Sequence, residues 1–217
     1  KNPAEVSQLF DAISYSKGAS VIRMLENFLG EETFRKGLNR YLSGHMYGNA
    51  RTEDLWSALE KESGQPVTSI MNSWVKQMGY PVLQVESERG GGQTRISVTQ
   101  DRFLYDSLLG DNEPSHEVWR VPISASQGGQ ESEVTVMDGR QAQLDIPGED
   151  GGWLKVNPLQ TGFFRVNYSA DGWQRLVPAI ESLELHATDR LGVQNDAYAL
   201  SRAGLLPVTQ FLDLAKA

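Results

Sequence analysis

In the stretch Trp74-Val75-Lys76-Gln77-Met78-Gly79-Tyr80-Pro81-Val82-Leu83-Gln84-Val85, the spacing of apolar residues changes from helical to alternating. Before it, Val67, Ile70, Met71, Trp74 and Val75 recur at three- and four-residue intervals, the stripe of a helix that buries one face. After Gly79-Tyr80-Pro81, Leu83 and Val85 alternate with polar neighbours, the period of a strand. Helices up to about residue 79 followed by strands predict an α+β chain.

Upstream of the switch, Val21, Leu25, Phe28 and Leu29 predict an amphipathic helix after Gly18 that stops at Gly30. Glu31 and Glu32 open a second helix, where carboxylates favour the positive end of the helix dipole. Phe34, Leu38, Tyr41 and Leu42 form its apolar stripe. Thr52 reads as the N-cap of a third helix carrying Leu55, Trp56 and Leu59, and Pro66 suits the first turn of the fourth. All of these apolar stripes read as core packing.

Downstream, seven short apolar clusters lead strands: Leu83 and Val85, Ile96 and Val98, Val121 and Ile123, Val134 and Val136, Leu144 and Ile146, Leu154 and Val156, Phe164 and Val166. Gly90-Gly91-Gly92, Gly128-Gly129, Asp138-Gly139 and Gly151-Gly152 split them, a pattern that predicts an antiparallel sandwich. The glycine triplet has no following Gly-Lys-Ser/Thr and reads as a loop, not a phosphate cradle. Helical spacing returns after Tyr168, through Trp173, Leu176, Val177 and Ile180, then Leu191, Ala197 and Leu200, and finally Phe211, Leu212 and Leu214.

Composition narrows the function classes. A net charge of −8 over 217 residues, with no Lys/Arg block, argues against nucleic acid as a partner. No run approaches the roughly eighteen consecutive apolar residues of a membrane span, so a membrane partner is not expected, and no signal peptide opens the chain. The absence of cysteine excludes disulfides and thiolate metal sites. Asn167-Tyr168-Ser169 fits a glycosylation sequon, a pattern too short to carry weight by itself.

Four segments carry a resemblance: Phe10-Asp11-Ala12-Ile13-Ser14-Tyr15-Ser16-Lys17-Gly18 with the run to Leu25; Trp74 to Pro81; Trp153-Leu154-Lys155-Val156-Asn157 with Gln160-Thr161-Gly162-Phe163-Phe164-Arg165; and Asp189-Arg190-Leu191-Gly192-Val193-Gln194-Asn195-Asp196 with Ala203-Gly204. In this order they resemble the aminopeptidase N family of zinc metallopeptidases, most of all its puromycin-sensitive branch. The resemblance implies that Tyr15 is catalytic, its phenol aimed at the scissile carbonyl. A neutral hydroxyl placed where negative charge develops stabilises a tetrahedral intermediate. It implies that Phe10 is substrate-binding, lining the pocket for the N-terminal side chain. Without the resemblance, Tyr15 reads as a half-buried packing residue with a wet hydroxyl. Phe164 departs from the family's usual tyrosine at a packing position.

The resemblance also implies three parts: 1–79, the helical C-terminal part of a metallopeptidase catalytic domain; 80–168, an antiparallel β-sandwich; 169–217, the start of an α-helical domain. Zinc is implied for the parent enzyme and none is expected in this chain. The zinc helix H-E-x-x-H, which sets two histidines on one face with a glutamate for the water, does not occur in the sequence. His116-Glu117 starts like it, but Arg120 takes the second histidine's place, and Pro114 and Pro122 argue against a helix. His45, His116 and His186 have no paired spacing and read as solvent-facing or loop residues. Two functions follow. One is a fragment of an aminopeptidase, inactive alone, whose partners are peptide substrates, the remainder of the catalytic domain and the C-terminal helical domain; a cytoplasmic location comes from the resemblance only. The other is a non-catalytic β-sandwich spacer or partner-binding module.

Overall fold

The computed structural model describes residues 12–105, 116–148 and 152–217. Phe10 lies outside the described residues. The chain divides into two compact units, one running up to Lys76 and including Thr161–Phe163, the other comprising Gln77–Gln160 and Phe164–Ala217. Among the described residues there are seven α-helices and nine strands, so the α+β class holds.

In the first unit, α1 (Ala12–Leu29) begins before Gly18 rather than after it. Its buried face is Val21, Met24 and Leu25. Gly30 ends it in a left-handed conformation, φ 80°, which glycine adopts at no steric cost, with its N–H donating to Glu26 O at 2.9 Å. Helix α2 (Glu31–Gly44) packs on α3 (Thr52–Ser63) through Gly37. A Cβ there would stand 2.5 Å from Leu59 Cδ2 and 3.1 Å from Leu59 Cα, so the two backbones approach as closely as only glycine permits. The N-cap of α3 is Arg51, not Thr52. The Asp54 carboxylate accepts the Arg51 N–H at 2.8 Å, which moves the start of the helix back by one residue. Pro66 likewise sits at the cap of α4 (Val67–Val75). The Glu60 carboxylate at the end of α3 accepts the Thr68 N–H at 2.7 Å, and this bond holds the Glu60 pKa down. Val67, Ile70, Met71 and Trp74 are buried, and the Phe163 ring lies 6.1 Å from that of Trp74. Leu42 and Val75 do not join the core: both are more than half exposed, because their stripes are wider than the neighbouring helices that cover them.

In the second unit, β1 (Pro81–Gly90) and β2 (Gln93–Arg102) form a long hairpin closed by Gly91 and Gly92, both with positive φ. That two-residue loop needs left-handed backbone at both positions, which accounts for the glycine run. The four-stranded sheet has the order β7-β2-β1-β9, with β7 (Gln141–Pro147) antiparallel to β2. Strand β9 (Arg165–Tyr168) is parallel to β1, so the sheet is mixed and departs from the all-antiparallel expectation. Strands β3 (Val121–Ile123) and β6 (Thr135–Met137) pair, as do β5 (Gln130–Glu131), β4 (Ala125–Gln127) and β8 (Leu154–Val156) in that order. Strands β4 and β5 are additional to those the apolar clusters mark. Two or three residues show no period, and their turn, Gly128-Gly129, is what the sequence advertises. Val134 and Phe164 fall just outside β6 and β9.

The core of this unit follows the alternation of β2, whose Thr94, Ile96, Val98 and Gln100 face inward. Gln100 is fully buried, and its amide donates to Trp119 O at 2.8 Å and Gly139 O at 2.7 Å while accepting the Trp119 N–H at 2.9 Å. Such a group is tolerated in a core because its donors and acceptor are met. Helices α5 (Ala170–Glu181), α6 (Ala187–Arg202) and α7 (Val208–Lys216) follow. Ser169 caps α5, its hydroxyl accepting the Gly172 N–H at 3.2 Å. Leu191 and Leu212, core positions by their spacing, are exposed. The sequon asparagine ties β9 to β1 and to α5, since Asn167 Nδ2 donates to Gln84 Oε1 at 2.8 Å and its Oδ1 accepts from Trp173 Nε1 at 3.2 Å.

Candidate functional site

Tyr15 stands on the first turn of α1 and is 63% exposed. Residues three, four and seven apart share one helix face, so Tyr15 lies in line with Gly18 and Ile22. A Cβ on Gly18 would meet nothing within 4 Å among the described residues. Gly18 and Ile22 border a cavity of about 360 Å³, walled also by Lys17 from the same helix, Trp56 from α3, and Met71 and Trp74 from α4. Burial in that wall holds the Lys17 ammonium below its usual pKa. Tyr15 thus carries an exposed phenol on the helix that forms one wall of an apolar, aromatic-lined hollow. A phenol there can donate a hydrogen bond to an oxygen that gains charge; it cannot generate a nucleophile.

No group of three His, Cys, Asp or Glu residues capable of holding a metal occurs among the described residues. The described residues therefore do not fit a zinc site. Each histidine has another environment. His45 caps α2, its Nδ1 bonded to Tyr41 O at 2.9 Å and its Nε2 3.4 Å from Asp54 Oδ2, so it sits at a half-buried helix end and not in a loop. His116 is exposed in an irregular segment, with Glu117 paired to Arg102 at 3.1 Å. His186 caps α6, its Nδ1 accepting the Thr188 N–H at 3.2 Å.

The densest ionisable cluster lies in the second unit, and periodicity does not reveal it. Lys155 is flanked by Leu154 and Val156 in β8, and alternation puts it on the solvent side; it is 1% exposed instead, with α5 packed on β8 and Asp189 of α6 beside its ammonium. Its Nζ donates to the carbonyls of Val156 and Asn157 and lies 3.8 Å from Asp189 Oδ1. Asp196, 2% exposed, takes Arg165 Nη1 at 3.1 Å and the Val166 N–H at 3.3 Å. The Tyr168 hydroxyl accepts the Val156 N–H at 2.9 Å, joining β9 to β8. Burial holds the Lys155 pKa down to about 8 against the pull of Asp196 and Asp189. It pushes Asp196 up to about 6 against Arg165 and Lys155, and Tyr168 far above the usual phenol range. With its donors and acceptors turned inward, this cluster braces the fold; its one signal in the sequence is a lysine embedded in an apolar run.

Residues 1–74 match the Peptidase family M1 domain, and residues 153–217 match the ERAP1-like C-terminal domain. The chain is 42% identical to Aminopeptidase M1-A of Oryza sativa subsp. japonica over 98% of its own length and 24% of that protein's. It is 39% identical to the Puromycin-sensitive aminopeptidase of Caenorhabditis elegans, over 99% of this chain and 23% of that one. It is 37% identical to Tricorn protease-interacting factor F2 of Thermoplasma volcanium, over 100% of this chain and 25% of the relative. The resemblance to M1 aminopeptidases thus runs along essentially the whole sequence, and the chain spans about a quarter of the length of the curated relatives it matches.

Proposed function

We propose that this chain is a segment of a zinc aminopeptidase of the M1 family, an enzyme that removes N-terminal residues from peptides. The observation that carries the reading is the similarity to M1 aminopeptidases along essentially the whole chain. The placement of Tyr15 supports it: an exposed phenol on the helix that forms one wall of an apolar hollow. In this reading Tyr15 donates to the scissile carbonyl oxygen as it becomes an oxyanion, and Phe10 lines the pocket for the substrate's first side chain. The metal ligands, the glutamate that activates water and the acidic residues that bind the substrate amine belong to sequence outside this chain.

The proposed parts are 1–79 of the catalytic domain, 80–168 as a β domain and 169–217 as the start of a helical domain. The partners are peptide substrates, the rest of the catalytic domain and the rest of the helical domain. No described helix is long and apolar enough to cross a membrane; a cytoplasmic setting rests on the puromycin-sensitive resemblance only. By itself the segment is inactive, since Tyr15 stabilises charge that another group must first create. Metal analysis and an aminoacyl reporter assay test this on both the longer protein and the 217-residue chain. Zinc and hydrolysis are expected in the first and neither in the second. A longer protein with no zinc and no peptidase activity would favour the spacer reading for the β domain instead.

A further inference from the structure

Residues 157–160 form a turn in which three non-glycine residues have left-handed backbone: Asn157 at φ 63°, Leu159 at φ 55° and Gln160 at φ 53°. Asparagine tolerates that region, whereas leucine and glutamine enter it at a cost, so tertiary contacts must hold the turn. Its entrance is tied to the sheet by the Asn157 N–H on Ser124 O at 3.1 Å, and it is closed by the Gln160 N–H on Asn157 O at 3.2 Å. Two buried charges, 3.8 Å apart, grip it at two points. Lys155 Nζ gathers the consecutive carbonyls of Val156 and Asn157, and the Asp189 carboxylate accepts the Leu159 N–H at 2.7 Å. An apolar side chain would fill the Lys155 site with less desolvation cost. What only an ammonium supplies there is several donors at the point where two carbonyls and a carboxylate converge.

We infer that Lys155 and Asp189 are a two-point clamp that holds turn 157–160 in its strained conformation. The clamp is a conformational device separate from Tyr15: loosening either jaw lets the turn relax to right-handed backbone while the sheet behind it stays intact. The outer contact of the turn is different in kind. Gln160 packs against Gly192, where an added Cβ would fall 1.9 Å from Gln160 Nε2 and 2.5 Å from its Cγ, so this contact involves most of the side chain.

Hydrogen exchange on the 217-residue chain tests the clamp. Lys155→Met keeps the bulk and removes the donors; Asp189→Ala removes the acceptor and serves if the first variant fails to fold. In either, amides of 157–163 should exchange at least about tenfold faster while the β1–β2 hairpin keeps its wild-type rate, the mark of a local opening. Leu159→Gly, which removes the left-handed penalty, should restore slow exchange in the Lys155→Met background. The inference is overturned by unchanged exchange in both clamp variants, by acceleration equal to that of the hairpin, or by failure of Leu159→Gly to rescue.

Discussion

Asp196 offers the sharpest quantitative test of the buried cluster, because two opposing effects meet on one carboxylate. Arg165, Lys155 and the Val166 N–H favour its ionised form, and burial disfavours it. Burial wins, raising the pKa from 3.8 to about 6. A shift of that size corresponds to about 3 kcal/mol at about 1.4 kcal/mol per unit. The raised pKa fixes the sign: between the unfolded and folded values the folded state binds more protons, so stability falls as pH rises. The contribution is fully present below about pH 4 and lost by about pH 6. Asp196→Asn removes the titration while nearly preserving shape. Urea unfolding of both proteins from about pH 4 to about pH 7, below the range where Lys155 titrates, isolates the effect. The wild type should lose about 2 kcal/mol of this relative to Asp196→Asn between about pH 4 and about pH 7, since part of the unfolded-state titration lies below about pH 4. A flat difference, or a wild type that gains stability with pH, would mean that the Arg165 ion pair outweighs burial, and the account of the cluster would be wrong.

Two substitutions probe the packing. Gly37→Ala must push α2 off α3, since Leu59 Cα is in the way; a loss of about 1–3 kcal/mol is expected in denaturant unfolding, as for other overpacked cores. Gln100→Leu removes three hydrogen bonds from a fully buried amide, and should cost about 1–3 kcal/mol, whereas a change within experimental error would show that the amide is dispensable. At the sequon, expression of the chain through a glycosylating secretory route should leave Asn167 unmodified in the folded protein, because both polar atoms of its amide are engaged; intact mass showing full occupancy would contradict this.

Much of the fold is legible in the sequence because it rests on local rules. The change of period at Gly79-Tyr80-Pro81 falls between α4 and β1, and the paired glycines mark hairpin turns whose φ values exclude most other residues. What escapes a sequence reading depends on partners distant along the chain. The parallel pairing of β9 with β1 joins Arg165 to Val82, and nothing local announces it. Lys155 alternates like a surface residue, yet α5 packs on β8 and Asp189 of α6 meets its ammonium, both distant in sequence. Exposed Leu42, Val75, Leu191 and Leu212 show the converse, since periodicity marks a face as apolar without saying how wide its cover is. Tyr15 is legible only through its motif, because an exposed tyrosine at a helix entrance has no distinctive spacing.

The most direct measurement is steady-state hydrolysis of an aminoacyl reporter by the longer protein carrying Tyr15→Phe. The substitution keeps the ring and removes the one hydrogen-bond donor assigned to the oxyanion. Turnover should drop by about 10² to 10³-fold with little change in KM, the signature of an interaction made in the transition state. Turnover within a few-fold of wild type would remove Tyr15 from the chemistry.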